Sequence, residues 1–147
     1  RLARRLPPPD DQVTSPSEHG AGRAATGTAI EAASRTAFEL AQVAGQAADA
    51  KKAERTLILR VAEVLGITDY FVITSASNRR LVRTVVEAVE EEVRAATGRS
   101  PLRTEGVSEQ QWVLVDYGDV VVHVFAEEIR MYYEIERLYQ DVPRFTI

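Results

Sequence analysis

The chain has 147 residues, of which 45% are hydrophobic and 27% charged, and its formal net charge is −4. This length fits one domain plus a tail. The absence of cysteine excludes disulfides, thiolate metal sites and cysteine nucleophiles. No apolar run approaches the roughly 20 residues that span a bilayer, so we expect no membrane segment and a cytoplasmic location.

Charge is unevenly distributed along the chain. Residues 105–141 contain nine acidic residues and two arginines, a net charge of −7, whereas residues 1–29 have a net charge of +1. The C-terminal half therefore lacks the basic footprint of a nucleic-acid-binding surface. An acidic face suits a basic protein partner, because complementary potentials speed encounter and fix orientation. A solvated surface that merely aids solubility would explain the same charges.

The first residues predict a disordered extension followed by a helix. Residues 1–27 are rich in proline, glycine, serine and charge, which bury too little apolar surface to offset chain entropy. Thr28 and Glu31 have the spacing of a capping box, so a helix is expected from Thr28 to about Ala50. The folded domain is predicted to cover residues 28–143, with residues 144–147 as a C-terminal tail.

Two β-rich segments and a second helix come next. Residues 56–62 alternate in polarity, and residues 69–75 are apolar on both faces, which is typical of a central strand. Ser77 is the expected N-cap of a helix over 78–97, whose apolar positions recur with a period of 3.6. Gly98 stands where a C-terminal cap residue belongs.

The C-terminal third predicts three strands and a last helix. A short strand near 102–105 precedes two segments, 112–116 and 120–125, that form an antiparallel hairpin with Gly118 free to adopt positive φ. A helix is expected over 127–139. The order α-β-β-α-β-β-β-α predicts an α+β or α/β sandwich with a mixed sheet and flanking helices.

Two blocks of sequence resemble a known family. The first is ITDYFVI at 67–73, which leads into Ser77-Asn78-Arg79, and the second is WVLVDYGDVVVHVF at 112–125. Both blocks, in this order and at this spacing, resemble the Iojap-like or ribosomal silencing factor family over about residues 28–143.

The resemblance implies a fold, a partner and a function. The fold would be similar to that of nucleotidyltransferases without their catalytic residues, and the protein would form homodimers. It would bind the large ribosomal subunit at ribosomal protein fourteen of the universal L series, with minor contact to ribosomal RNA at most. It would then sterically block association with the small subunit and repress translation when nutrients are short. A large-subunit assembly factor is the alternative, and a nucleotidyltransferase-like enzyme is a more distant one.

The residues themselves argue against nucleotidyl transfer. Such chemistry needs carboxylates that converge on Mg²⁺, commonly two aspartates at positions i and i+2 of one strand. Here Asp116 and Asp119 are three positions apart across a turn, and Ser75-Ala76-Ser77 replaces the glycine-serine element that would cradle phosphate. We therefore expect no catalytic residue, no metal and no cofactor.

The hairpin supplies the main candidates for partner binding. Trp112 is either a binding anchor or a core residue at the start of a strand, and the family resemblance favours the anchor. Leu114 shares its strand face and would extend an apolar patch. The hairpin turn contains three further candidates, Asp116, Tyr117 and Asp119. They are either ordinary turn residues or part of the docking face, where the two aspartate carboxylates would pair with lysine or arginine of a basic partner.

Weaker candidates lie on the next strand and on the helices. His123 alternates with valines, and a structural role is the favoured interpretation, although its ring could still reach a partner. Glu128 and Arg130 either bridge locally or border the docking face. At least one tyrosine of the last helix is expected in the core. Three arginines open the helix after the second strand, and we expect them to pair with Glu87 or Glu90 rather than with RNA phosphates: Arg79, Arg80 and Arg83.

Overall fold

A computed structural model describes residues 23–147, in which one long helix leads into a six-stranded sheet. The helices are α1 (Arg23–Ala50), α2 (Ala62–Leu65), α3 (Arg79–Thr97) and α4 (Glu127–Tyr133), followed by a 3₁₀ helix (Ile135–Tyr139). The strands are β1 (Glu54–Arg60), β2 (Tyr70–Ala76), β3 (Arg103–Glu105), β4 (Trp112–Asp116), β5 (Val120–Ala126) and β6 (Arg144–Thr146).

The sheet is mixed, as predicted. Its strand order is β3-β4-β5-β2-β1-β6, with β2 parallel to β5 and every other neighbouring pair antiparallel. Strand β2 is buried at each position and lies in the interior of the sheet. The β4–β5 hairpin is confirmed, with Gly118 at φ 93° in its turn.

Helices cover both faces of the sheet. Helices α1 and α3 pack together on one face, where small residues of α1 allow close approach to the strands. The buried side of α3 carries the apolar residues that its periodicity predicts: Val82, Val85, Val86, Val89 and Val93. Helices α2 and α4 and the 3₁₀ helix lie on the second face, over a separate apolar cluster.

Two predicted helix starts are wrong. Helix α1 already begins at Arg23, so Thr28 and Glu31 lie inside it and form no capping box. Residues 1–22 are outside the described residues, and their disorder stays a prediction. Helix α3 is capped by Asn78, whose side-chain oxygen accepts a hydrogen bond from Leu81 N at 2.8 Å, and not by Ser77. Strand β2 runs as far as Ala76, so helical geometry is reached only at Arg79.

The C-terminal segment also differs from expectation. The last helix is interrupted at Glu134, which adopts left-handed geometry with φ 46° and ψ 52°. The predicted tail, residues 144–147, instead contributes β6, which pairs with β1. A side chain at Gly45 of α1 would come within 3.0 Å of Ile147, so glycine allows this last residue to pack on α1.

Candidate partner-binding face

The second face of the sheet is covered at one end and open at the other. Alternation along β4 directs Trp112, Leu114 and Asp116 to this face and Val113, Val115 and Tyr117 to the α1–α3 face. Beyond the cover of the helices lies a hollow of about 240 Å³. We call it the open groove, and its lining includes Ile67, Phe71, Leu102, Leu114, Asp116 and Val121.

The covered end contains Trp112. Its side chain is only 3% exposed, and its Nε1–H donates a hydrogen bond to His123 Nδ1 at 3.2 Å. The rings of Phe125 and Tyr133 lie 4.7 and 5.0 Å from the indole. The expectation of an exposed tryptophan anchor is therefore wrong for this chain, because α4 folds back over the start of β4. Trp112 belongs to the core.

His123 has a structural role at the same end. It is wholly buried, and its ring meets Phe71 edge-on at a centroid distance of 4.5 Å. Because Nδ1 accepts from Trp112, the proton of the neutral ring resides on Nε2, which has no hydrogen-bond partner among the described residues. Burial lowers the pKa of His123 to about 3. The histidine is thus a neutral core residue with no exposed surface in the single chain.

The two aspartates of the hairpin are each paired within the chain. Asp116 forms an ion pair with Arg103 at 3.1 Å and accepts a hydrogen bond from Gly118 N at 2.8 Å. Asp119 receives both terminal nitrogens of Arg99, at 2.9 and 3.1 Å. Arg99 also donates to the Tyr117 carbonyl oxygen at 2.6 Å, which closes the turn. Both carboxylates therefore stabilise the hairpin, and they do not converge on a common ligand.

Tyr117 faces away from the open groove. Its ring is buried in the α1–α3 core, with the Arg99 guanidinium 6.0 Å from the ring centroid. Burial raises the pKa of the Tyr117 hydroxyl to about 12. The prediction that Tyr117 binds a partner is wrong for its side chain, since strand alternation directs it to the opposite face from Leu114.

Arg130 is buried, and its hydrogen bonds link strands β1 and β2 to the 3₁₀ helix. It donates to Glu136 Oε2 at 3.1 Å, to Ser75 Oγ at 3.0 Å and to the carbonyl oxygens of Glu54 and Arg55 at 3.1 and 2.8 Å. Of its two predicted roles, the structure shows the local bridge, and the same bonds bury Arg130 away from the surface. Glu128, the neighbouring candidate, is exposed on α4.

Sequence patterns missed the largest exposed apolar side chains. Leu102 and Ile67, at the rim of the open groove, are 74% and 58% exposed. A second group lies on α4 and the 3₁₀ helix, on both sides of the break at Glu134. We call this group the helical patch, and it comprises Met131, Tyr132, Tyr133 and Leu138. Tyr139 takes the core position expected of one tyrosine.

One of the three arginines at the start of α3 forms the predicted ion pair with a glutamate of the same helix. Arg83 pairs with Glu87 at 3.3 Å on the exposed side of the helix. Arg79 and Arg80 are also exposed.

Within residues 28–147, no group of three or more histidine, aspartate or glutamate side chains is arranged to hold a metal ion. In the described part of the chain, no helix is long and apolar enough to cross a membrane.

Comparison with known proteins agrees with this architecture. Residues 34–147 match the family model described as "Ribosomal silencing factor during starvation". The chain belongs to the ribosomal silencing factor family. It is 38% identical over 105 residues to the ribosomal silencing factor RsfS of Halalkalibacterium halodurans, covering 71% of this chain and 89% of that protein.

Other relatives extend the match to structure and to organelles. A crystal structure of a Chromobacterium violaceum protein superposes with a TM-score of 0.67 at 28% identity, covering 70% of this chain and 85% of that one. The mouse protein "Mitochondrial assembly of ribosomal large subunit protein 1" is 31% identical over 84 residues, covering 56% of this chain and 37% of that protein. The α+β fold with a mixed sheet is thus the fold of this family.

Proposed function

We propose that this protein binds the large ribosomal subunit through the open groove and so blocks association with the small subunit in the cytoplasm. The docking partner would be ribosomal protein fourteen of the universal L series, as the family resemblance implies. The observation that carries this proposal is the partly covered sheet face, where a hollow with an apolar lining opens beside β3 and β4. No reaction, metal or cofactor is needed, because occupancy of the subunit face suffices.

The open groove has the composition of a protein-binding site. Phe71, Leu114 and Val121 form an apolar floor that is already buried, at 0%, 4% and 6% exposed, and Ile67 and Leu102 project at the rim. A partner that docks on the hollow would remove mainly the apolar surface of the rim from water. Burial of one leucine-sized side chain contributes about 1.5–3 kcal/mol. We therefore assign the anchor role to the exposed rim of the groove rather than to Trp112.

Charge at the groove favours a basic partner. Asp116 and Glu105 lie along its wall, and Arg103 is the cation of that wall. The Asp116 side chain is only 12% exposed, so a lysine or arginine of the partner would reach its carboxylate by displacing Arg103, whose side chain is 60% exposed. Exposed pairs of this kind contribute about 0.2–1 kcal/mol each. They would orient the partner while the apolar contacts hold it.

Further contacts would lie away from the groove, where the far ends of β2 and β5 lead into α3 and α4. Glu128 lies on α4 beside the helical patch, and its exposed carboxylate would meet the same basic partner. Arg79 and Arg80, exposed at the start of α3, would make the minor contact with ribosomal RNA phosphates. A total buried area of about 1,600 Å² is ordinary for a specific interface.

Sedimentation of purified subunits tests the proposal. We expect the protein to sediment with large subunits and to reduce the yield of joined ribosomes. Leu102→Asp should abolish both effects, because it puts a charge on the apolar rim. Ile30→Asp is the matched control, since Ile30 is a similarly exposed aliphatic residue on α1. Equal loss in both variants, or in neither, would refute the open groove as the docking site.

A role in subunit assembly is the second candidate. The mouse relative named for assembly of the mitochondrial large subunit favours it. An assembly factor would bind immature large subunits in preference to mature ones. A silencing factor would bind mature subunits and prevent joining. Binding assays with the two particles side by side distinguish the two functions.

The family resemblance also leads us to propose a homodimer. Sedimentation velocity over a range of concentrations would give its mass and dissociation constant. A single monomeric species at every concentration would refute it.

A further inference from the structure

A second hollow lies on the α1–α3 face of the sheet, opposite the open groove. It has a volume of about 560 Å³ and lies between α3 and the segment that joins β3 to β4. We call it the α3 hollow. Val86 and Val113 form its buried base, whereas Val107 on its outer wall is 47% exposed. The carboxylates of Glu87 and Glu90 lie beside this apolar surface.

One carboxylate of the α3 hollow has no ion-pair partner among the described residues. Glu87 pairs with Arg83 at 3.3 Å, but no arginine or lysine in the described part of the chain forms an ion pair with Glu90. Burial raises the pKa of Glu90, although the nearby Arg94 lowers it in part. A cation that enters the hollow would stabilise the charged form of Glu90. Charge therefore favours a cationic side chain and disfavours a phosphate group.

The chain itself contains a segment of matching chemistry, outside the described residues. Residues 1–6, RLARRL, contain three arginines, two leucines and no acidic residue, whereas residues 7–22 contain three acidic residues and no arginine or lysine. We call residues 1–6 the basic arm. A proline at position 7 favours extended backbone at the residue before it, and alternate residues of an extended segment face the same side. Arg4 and Leu6 would therefore face the α3 hollow together.

The connecting chain is long enough to bring the basic arm to the α3 hollow. Because β1 and β2 are antiparallel, the end of α1 and the start of α3 lie at the same end of the sheet. Helix α1 has 28 residues and is about 42 Å long, so its start lies about 25 Å from the level of Glu90 along the helix axes. Residues 7–22 span about 50 Å when extended and about 20–24 Å on average as a flexible chain.

We propose that the basic arm binds in the α3 hollow of its own chain, with Arg4 paired with Glu90 and Leu6 packed on Val107. Attachment to the same chain favours this occupant over a separate basic peptide, because a short linker holds the arm at an effective concentration in the millimolar range. Weak individual contacts then suffice for occupancy. The disorder predicted for residues 1–27 would apply to the linker and not to the arm.

The open groove is less suited to the basic arm. Its carboxylate at Asp116 already pairs with Arg103, so an arginine of the arm would have to displace that partner. The α3 hollow offers the Glu90 carboxylate without such competition. Because the two hollows lie on opposite faces of the sheet, binding of the arm would leave the open groove free. This inference therefore does not depend on the proposed function.

Cysteine cross-linking tests the inference in the full chain. The chain contains no cysteine, so Ala3→Cys combined with Ser108→Cys introduces one thiol on the arm and one on the wall of the α3 hollow. We expect mild oxidation to link this pair within one chain at least about tenfold faster than Ala3→Cys combined with Ser100→Cys. Ser100 is an exposed serine just after α3, at the end of the sheet nearer the start of α1. An arm without a preferred site would meet Ser100 at least as often.

Neutralising one carboxylate provides a second test. Glu90→Gln should slow formation of the cross-link between positions 3 and 108 roughly threefold to fivefold, since the variant loses the ion pair with Arg4. Glu92→Gln is the matched control, because Glu92 is exposed on another side of α3 and should leave the rate unchanged. Added salt should reduce the difference between the two variants. Circular dichroism would show that both are folded. Equal rates in the two variants would overturn the pairing of Arg4 with Glu90.

The remaining outcomes identify a different occupant. Equal rates for the 3–108 and 3–100 pairs would show that the arm has no preferred site and would overturn the inference. Cross-links found only between two chains would assign the hollow to the arm of a second copy. If Ser108→Cys captures a ribosomal protein in the presence of large subunits and no link forms within the chain, the hollow serves the ribosome and the inference fails. Loss of subunit binding by Leu102→Asp is judged separately by sedimentation.

Discussion

The two ends of strand β4 have opposite surroundings. At its start, Trp112 is covered by α4 and bonded to buried His123. At its end, Leu114 and Asp116 line an open groove beneath the exposed Leu102. Both ends belong to one sequence block and one sheet face. We infer from the contrast that one sequence block can combine residues that hold the fold with residues that are candidates for binding a partner.

The largest expected effect is at the covered end. Trp112→Ala should lower the free energy of unfolding by about 3–5 kcal/mol, because it removes a buried ring and leaves His123 Nδ1 without its donor. Chemical denaturation measures this change, and Trp112→Phe is the milder control. A fully stable Trp112→Ala variant that no longer binds large subunits would reverse the roles assigned to the two ends.

The covered end should also make stability depend on pH. The pKa of His123 is about 3 in the folded chain against an ordinary value of 6.5, so the unfolded chain binds more protons between these values. Stability is therefore fully present above pH 6.5 and falls as pH drops below it. At pH 4.5 the loss from this group should be of order 2–3 kcal/mol. Denaturation at several pH values would test it, with His123→Phe as the variant that should lose this slope.

The hairpin turn at the open end of β4 should show a smaller effect. Arg99→Ala removes the two bonds to Asp119 and the bond to the Tyr117 carbonyl, and we expect a loss of about 1 kcal/mol in the free energy of unfolding. Arg83→Ala, which breaks the exposed pair with Glu87, is the control and should change stability by less than about 0.5 kcal/mol. Equal effects of the two variants would contradict the assigned role of Arg99.

The smallest effect on stability is expected at the open end. Leu102→Ala should change the free energy of unfolding by less than about 0.5 kcal/mol, since the side chain is 74% exposed. The same variant should nevertheless weaken binding to large subunits measurably in sedimentation assays. A large loss of stability without a change in binding would show that Leu102 supports the fold rather than the partner.

Local sequence patterns predicted most of the fold. The period of α3, the apolar β2 segment and the Gly118 turn each depend on neighbours within one element, and each is confirmed. The prediction of the last helix as one continuous element was wrong. The helix is interrupted at Glu134, between Arg130 and its hydrogen-bond partner Glu136. The Arg130 side chain also points inward to donate to a carbonyl oxygen of β1, which is far away in sequence.

Part of the candidate site could be predicted, and part could not. Leu114 and Asp116 were named from the hairpin, and the structure brings both to the open groove. Ile67 and Leu102 were missed as rim residues, because one follows α2, the other precedes β3, and no periodicity links them. Their proximity arises only when β3 pairs with β4 and the loop after α2 passes beside it.

Periodicity, turn residues and motif spacing are properties of the chain, so the amino-acid sequence was enough to predict the order of the main elements, without α2 and β6, as well as the mixed sheet and the family. Which side of the sheet each residue faces follows from alternation along a strand. Whether that side is covered follows only from the way the elements pack. Helix α4 covers Trp112 and leaves the groove beside Leu114 uncovered. The position of α4 on the sheet is set by contacts between residues that are distant in sequence.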